Sequence, residues 1–443
     1  MSTDSTKLAM HGGRPVAPRP VLPLWPHLTG VLEERLLAQA RLGLSIYDRS
    51  GVVQDFETAF AGYVGVPRAL ATSSGTAALH SIYYGAGIGP GDEVICADYG
   101  FFATVTPLVF QGARPVFVDC APDGTLSPEC AAAAITGRTK AIVVTHMWGQ
   151  PARLEELQAL CERTGLLLVE DCSHAHGARF RGSVVGSFGH AAAWSLQANK
   201  TIWAGEGGVL VTKDPELYER ALLLGHFNRR ALQDIPADSP NHAFAFTGTG
   251  LKYRAHPLGL ALAAPQVETL DQVIEGRQKS AEVLINALSG IPGVRVLGRS
   301  EPGTVHGYYA LVALIDPELC GFDRQAFTQA MHAENMHMVS VPTQMRSMSE
   351  YSLFAGASAP GPPAGHPMEN SARITETSVK LFVPSAPEDL TDETDVSRVA
   401  EAIYKVGGAL PGHQGLRATP TRNHSVLGSS GTSAGESGRH CGT

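Results

Sequence analysis

The chain has 443 residues, 44% of them hydrophobic and 17% charged, and a formal net charge of −8 at pH 7. That length accommodates two domains, or one large domain with a satellite, and the mildly acidic balance argues against a nucleic-acid or anionic-membrane surface. No apolar run approaches the ~20 residues that span a bilayer. The N-terminus, MSTDSTKLAMHGGRPVAPRP, lacks the apolar core of a secretory signal. The seven cysteines are scattered and never spaced Cys-x-x-Cys, so neither a disulfide framework nor a zinc site is expected, and the cytoplasm is the expected compartment.

Residues 1–30 are rich in Pro and Gly and read as an extended arm over the main body. Val31–Leu37 and Phe56–Tyr63 have helical apolar spacing. Ala69–His80 reads as a short strand, a Ser/Gly/Thr turn and an Ala-rich helix, so the turn offers backbone N–H groups and the Thr76 hydroxyl at a helix N-terminus. Strands follow at Val94–Cys96, Arg114–Asp119 and Ala141–His146, the last a continuous apolar run of the kind found in buried parallel sheets. A helix around Leu154–Cys161 leads to the strand Leu166–Asp171. Strands alternating with helices imply a mostly parallel sheet with helices on both faces, and such α/β sheets gather ligands at the carboxyl ends of their strands.

Ala191–Thr212 holds two apolar strands joined by an irregular, glycine-rich link that carries Lys200. A lysine so placed can be buried, lose its proton and form an imine with a carbonyl. After a loop-like region to about Thr249, a helical region begins near Pro257. Apolar positions 267, 270, 274, 281, 284 and 288 mark one long helix, read as the connector to a smaller domain. That domain contains strands near Val294–Leu297, Tyr308–Ile315 and Met336–Val341, a helix through Asp323–Phe327 and a last helix around Val396–Val406. Residues 346–372 read as a mobile loop or substrate lid, and the polar stretch 411–443 as a disordered tail. The domain scheme is therefore an arm at 1–30, a large domain at 31–265, a connector and small domain at 266–410, and the tail.

Several of these residues match what pyridoxal phosphate requires: a lysine for an imine, a carboxylate for the pyridine nitrogen, a flat group against the ring, and donors for the phosphate. Lys200 can supply the first and Asp171, ending a buried strand, the second. Phe101 or His174 can lie against the ring, and Gly75, Thr76 and Ser195 can hold the phosphate. Each has an ordinary structural explanation alone; their joint appearance at strand ends of one α/β sheet points to a cofactor site and to no metal.

The order and spacing of GGRPV…WP, SSGTAALH, GPGDEV, GARPVFVD, THMWGQPA, VEDCSHAHGA and WSLQANKTIWAGEGG across most of residues 10–410 resemble the DegT/DnrJ/EryC1/StrS family of pyridoxal-phosphate-dependent aminotransferases. The resemblance implies a fold-type I enzyme with a mostly parallel seven-stranded sheet, a smaller C-terminal α+β domain and active sites at a homodimer interface. It implies amino transfer from glutamate or glutamine to a keto-sugar or keto-cyclitol, in natural-product biosynthesis. By matching motif, Lys200 takes the Schiff-base position, Asp171 that of the pyridine-nitrogen partner and His174 the place beside the ring and its hydroxyl. Phe101 matches the stacking aromatic, and Gly75, Thr76 and Ser195 the phosphate-binding positions, with Gln197 nearby. One departure stands out: where many relatives place an Asn that reaches the cofactor phosphate of the neighbouring subunit, this chain has Lys252. A lyase, an aldolase or a sugar dehydratase on the same fold is the alternative; the dehydratases carry histidine at the lysine position.

Overall fold

A computed structural model describes residues 6–298, 301–354, 367–391 and 395–410. Seven strands form the main sheet: β1 (Arg68–Thr72), β2 (Glu93–Ala97), β3 (Arg114–Val118), β4 (Thr139–Thr145), β5 (Leu167–Asp171), β6 (Ala191–Ser195) and β7 (Gly208–Thr212). Their order is β1-β7-β6-β5-β4-β2-β3. The pairings from β6 across to β3 are parallel, and β7 runs antiparallel to both β6 and β1. Period-2 alternation sorts the side chains between two cores. Ile95, Ile142, Val144, Leu168 and Trp194 enter one face, where the helices Gly51–Val64, Leu154–Thr164 and Pro257–Glu268 cover them. Val94, Val143, Val169 and Leu210 enter the other, under Gly75–Gly85 and Pro215–Gly225. Burial on both faces explains why these strands read as unbroken apolar runs.

A second sheet is antiparallel and built from β8 (Val294–Val296), β9 (Leu311–Ile315), β10 (Val339–Ser340) and β11 (Ser378–Leu381), in the order β8-β9-β11-β10. The helices Leu270–Ser289, Arg324–Ala333 and Val396–Ala409 share its core through Leu284, Phe327, Met331 and Ile403. The helical region expected near Pro257 is Pro257–Glu268, and the long connector expected from Val267 is Leu270–Ser289; Val267 belongs to the first of them, and Thr269, with φ of −103° and ψ of 3°, separates the two. The apolar stripe runs on across the break: Val267, Leu270 and Ile274 enter the core of the large sheet, and Ala281, Leu284 and Leu288 that of the second.

The arm lies along the main body: its first part packs against the second sheet, and Trp25 reaches the large domain. Leu8, Ala17 and Val21 enter the second core. Buried Glu334 accepts hydrogen bonds from the Ala9 and Val16 amides at 2.8 and 3.0 Å and pairs with Lys405 at 2.8 Å. The described parts of 346–372, expected as a mobile loop or substrate lid, are tied to the large domain. Arg346–Ser347 pairs with Tyr99–Gly100, Ser349 donates to Asp98 at 2.8 Å, and Phe354 packs on Phe117. At the far end, helix Glu369–Thr377 is anchored by Asp119, which accepts from the Asn370 and Ser371 amides. Residues 355–366 and the tail lie outside the described residues. Cys96, Cys120, Cys161, Cys172 and Cys320 are free and buried. No helix among the described residues is long and apolar enough to cross a membrane.

Candidate active site

Parallel strands deliver their last residues to one edge of the sheet, and a cavity of about 420 Å³ opens there. Gly75, Thr76, Phe101, Asp171, His174, Ser195, Gln197 and Lys200 all line it. Lys252 does not; it is exposed on the surface of this chain.

Lys200 sits in the link between β6 and β7, which backbone bonds hold tightly. Leu196 donates to Gly207, Ala204 to Leu196 and Ala198 to Gly205, each at 2.8 Å, and the Lys200 amide donates to Gln197 at 2.8 Å. Gly205 and Gly207 have φ of 81° and 159°, which makes the tight return of this link compatible with glycine and strained for other residues. From the arm, Trp25 Nε1 donates to the Lys200 carbonyl at 3.0 Å. The Lys200 ammonium lies 4.3 Å from the centroid of the Tyr309 ring. Burial lowers its pKa from 10.5 to about 8; Asp171 opposes that shift and Lys380 reinforces it.

Asp171 ends β5. Thr104 Oγ1 donates to its Oδ2 at 2.6 Å and the Ser173 amide to its Oδ1 at 3.0 Å, so the carboxylate is fixed in orientation. His174 is buried and stacks on Tyr309 at 4.1 Å and 10°, with Trp148 beyond at 5.5 Å. Desolvation first, then the charge of Lys200, holds its pKa well below the usual value, so the ring is neutral. Its Nδ1 accepts from the Trp148 amide at 3.4 Å, which leaves the proton on Nε2, free to donate.

At the opposite wall, Ser74 caps helix Gly75–Gly85, its Oγ accepting from the Ala77 amide at 3.0 Å. Helix N-terminal amides beside it form an anion cradle. Two close approaches shape that cradle. A Cβ on Gly75 would lie 2.9 Å from Ser195 Cβ, and one on Gly208 would lie 2.3 Å from the carbonyl carbon of Ser74. Ser195 Oγ accepts from the Gln197 amide at 3.3 Å, and Gln197 Oε1 from the Asn199 amide at 2.9 Å. The donor set, the glycine clearance, the fixed carboxylate and the lysine together fit the phosphate, the ring nitrogen and the carbonyl of pyridoxal phosphate.

Sequence reasoning missed several residues of this neighbourhood. Thr104 lay unremarked in the stretch that holds Phe101, Tyr309 was assigned to a small-domain strand, and Trp25 was noted only as part of a motif in the arm. Their signal is tertiary, since Trp25 and Lys200 meet across 175 residues of sequence and Thr104 and Asp171 across 67. His176 is buried too; desolvation, then Lys200 and Arg277, lowers its pKa to about 3, so it adds no charge to the site. Nearby, His146, Glu170 and Cys172 converge in the interior. Glu170 there accepts four hydrogen bonds, from His146 and the amides of Gly186, Phe188 and Gly189, as a brace for the loop before β6.

A mostly parallel α/β sheet whose strand ends enclose a desolvated lysine and an oriented carboxylate defines an enzyme of amine–carbonyl chemistry. The comparisons narrow that class. The model of the DegT/DnrJ/EryC1/StrS aminotransferase family matches residues 36–403. The L-glutamine:2-deoxy-scyllo-inosose aminotransferase of Streptomyces kanamyceticus is 35% identical over 427 residues, covering 92% of this chain and 98% of its own length. A relative of the same name from Streptoalloteichus tenebrarius is 33% identical over 431 residues, covering 93% and 99%. Among solved structures, 3-amino-5-hydroxybenzoic acid synthase matches with a TM-score of 0.76 at 29% identity, over 88% of this chain and 99% of its own. The chain belongs to the DegT/DnrJ/EryC1/StrS aminotransferase family, as its motifs implied.

Proposed function

We propose that the protein transfers an amino group from glutamine or glutamate to a keto-cyclitol, using pyridoxal 5'-phosphate bound in the Lys200 cavity. The observation that carries this reading is that Lys200 is desolvated in the same cavity as the strand-end carboxylate of Asp171 and the anion cradle at Gly75. The curated relatives named above support a keto-cyclitol over a keto-sugar as acceptor, and glutamine as donor. When bound, the cofactor supplies a carbonyl that exchanges amines and a protonated ring that takes up negative charge.

The protein's own groups then divide the work. Lys200 gives up its proton near pH 8, so its amine can add to a carbonyl and afterwards move a proton at the substrate carbon. Asp171, held by Thr104, would keep a proton on the ring nitrogen. His174 would donate from Nε2 to the ring hydroxyl, and Phe101 would supply the flat face against the ring. The Gly75 and Thr76 amides, the Thr76 hydroxyl and Ser195, which line the cavity, would hold the phosphate, with Gln197 shaping the turn beside them. Tyr309, stacked on His174, backs the lysine.

The same reading makes the protein a cytoplasmic homodimer in which Lys252 meets the cofactor phosphate of the neighbouring subunit. The exposed apolar Tyr47, Phe244, Phe246 and Leu251 around the Lys252 loop support the subunit contact. Residues 31–265 form the cofactor-binding domain and 266–410 the small domain in this scheme. The test is spectroscopic. Adding L-glutamine to the purified holoenzyme is expected to abolish the visible absorbance of the bound aldehyde, and 2-deoxy-scyllo-inosose to restore it. Lack of conversion by any amino acid, or normal turnover by Lys200→Ala, would refute the assignment.

A further inference from the structure

Beside the Lys200 cavity lies a second one, of about 250 Å³, and the two share Tyr309 and Asn199. Two cations line it. Arg277, on the helix Leu270–Ser289, is only 2% exposed. Its Nη1 donates to Thr201 Oγ1 at 2.8 Å and to the Tyr308 carbonyl at 3.2 Å, while the enclosed Nε has no hydrogen-bond partner. Among the described residues no carboxylate forms an ion pair with it. Asp389 is the acid whose charge reaches it, and Asp389 is engaged with Ser385 and the Ala386 amide. Trp25 of the arm closes the guanidinium from one side, at 5.1 Å from its ring. Lys380, half-buried on β11, is the second cation, close enough for its charge to act on both Lys200 and His174.

A guanidinium sealed from water without a counter-ion is costly unless a ligand supplies the anion. Its partly satisfied fork, beside an ammonium and an aromatic wall, suits a carboxylate. An α-amino acid whose nitrogen reaches the neighbourhood of Lys200 must place its carboxylate one carbon away, and this cavity opens directly behind Tyr309. Resting on the reading above, we propose that the Arg277–Lys380 cavity binds the α-carboxylate of the amino donor, and that the uncharged acceptor polyol does not use it.

The experiment separates the two half-reactions in the holoenzymes of the wild type, Arg277→Gln and Lys380→Met. Each variant is first checked for cofactor absorbance. Lys380→Met is the arm that keeps the idea falsifiable if Arg277→Gln fails to fold. The expected result is a half-saturating L-glutamine concentration raised roughly 10- to 100-fold, the weight of a lost charge-assisted hydrogen bond. The reaction of the pyridoxamine form with 2-deoxy-scyllo-inosose should change less than about 3-fold in Arg277→Gln, and in Lys380→Met, where the Lys200 amine also feels the lost charge, less than the donor half does. Calorimetric affinity for glutarate, which carries the carboxylate but cannot react, should fall in step with that for glutamine. Unchanged donor half-reactions, an equal loss in both halves, or a loss confined to the acceptor half would each overturn the proposal. If the wild type itself shows no donor conversion, the transaminase reading fails instead, and the glutarate titration still reports whether the cavity holds a carboxylate.

Discussion

Lys200 stands in an environment that opposes its ordinary charge. An unfolded lysine titrates near 10.5 and the native one near 8. Between those values the unfolded chain holds a proton that the native state lacks, so stability rises with pH across that window and the full penalty applies below pH 8. In the cofactor-free protein, Lys200→Met is therefore expected to raise stability by about 2–3 kcal/mol at pH 7. The gain should shrink as pH climbs from 8 towards 10.5, which urea unfolding at several pH values would show. Modification of Lys200 by an aldehyde should have a midpoint near pH 8. Asp171→Asn removes the charge that favours the ammonium, so that midpoint should move lower still. It should also slow the glutamine half-reaction by roughly 10²–10³-fold, since a neutral amide cannot stabilise a protonated ring. A wild-type rate in Asp171→Asn would dismiss the role given to that carboxylate.

The elements that matter most at the site are those brought unusually close. Helix Gly75–Gly85 can approach β6 and β7 because Gly75 and Gly208 lack side chains at the contact. Gly75→Ala would drive a methyl group into Ser195 and push the helix N-terminus off the strand. The expected outcome is a loss of about 1–3 kcal/mol in stability and a cofactor affinity weakened by at least ~10-fold, both readable from cofactor titration and thermal unfolding. An unaltered affinity would mean that the phosphate cradle lies elsewhere. At the other end of the molecule the arm is attached through one buried acid. Glu334→Ala leaves Lys405 and the Ala9 and Val16 amides without their acceptor. A cost of about 3 kcal/mol is expected, together with faster proteolysis near Gly12–Gly13 as the arm loosens. An arm as resistant as in the wild type would show that Leu8, Ala17 and Val21 suffice to hold it.

At the scale of the whole molecule, the proposed sharing of sites between subunits makes a prediction that a single chain could not satisfy. Lys200→Ala abolishes its own site and leaves a sound Lys252 for its neighbour, whereas Lys252→Ala does the reverse. Coexpressed, the two variants should recover activity in mixed dimers, with about a quarter of all sites restored by random pairing. Equilibrium sedimentation of the mixture should give twice the chain mass. A mixture no more active than the sum of its parts would place Lys252 outside the catalytic unit.

Much of this was already legible in residue order. The alternation of apolar strands with amphipathic helices dictates a mostly parallel sheet, because strands buried on both faces need crossover helices to cover them. Local turn chemistry also marks Ser74–Thr76 as a helix start and Gly205–Gly208 as a tight link, which places Lys200 between two strands. The break at Thr269 was hidden because the apolar stripe runs on across it. The hold of Asp98 on Ser349 and of Asp119 on Asn370 and Ser371 was hidden because polar loop composition does not reveal which carboxylate will accept its amides. Only the tertiary structure seats Trp25 on the Lys200 carbonyl, stacks His174 on Tyr309 and encloses Arg277 with no ion-pair partner among the described residues. These contacts join segments far apart in the chain, and their charge and desolvation arise from packing that no local pattern encodes. The sequence determined the fold and the chemistry; the packing decided which side chains surround that chemistry and how strongly burial bears on each.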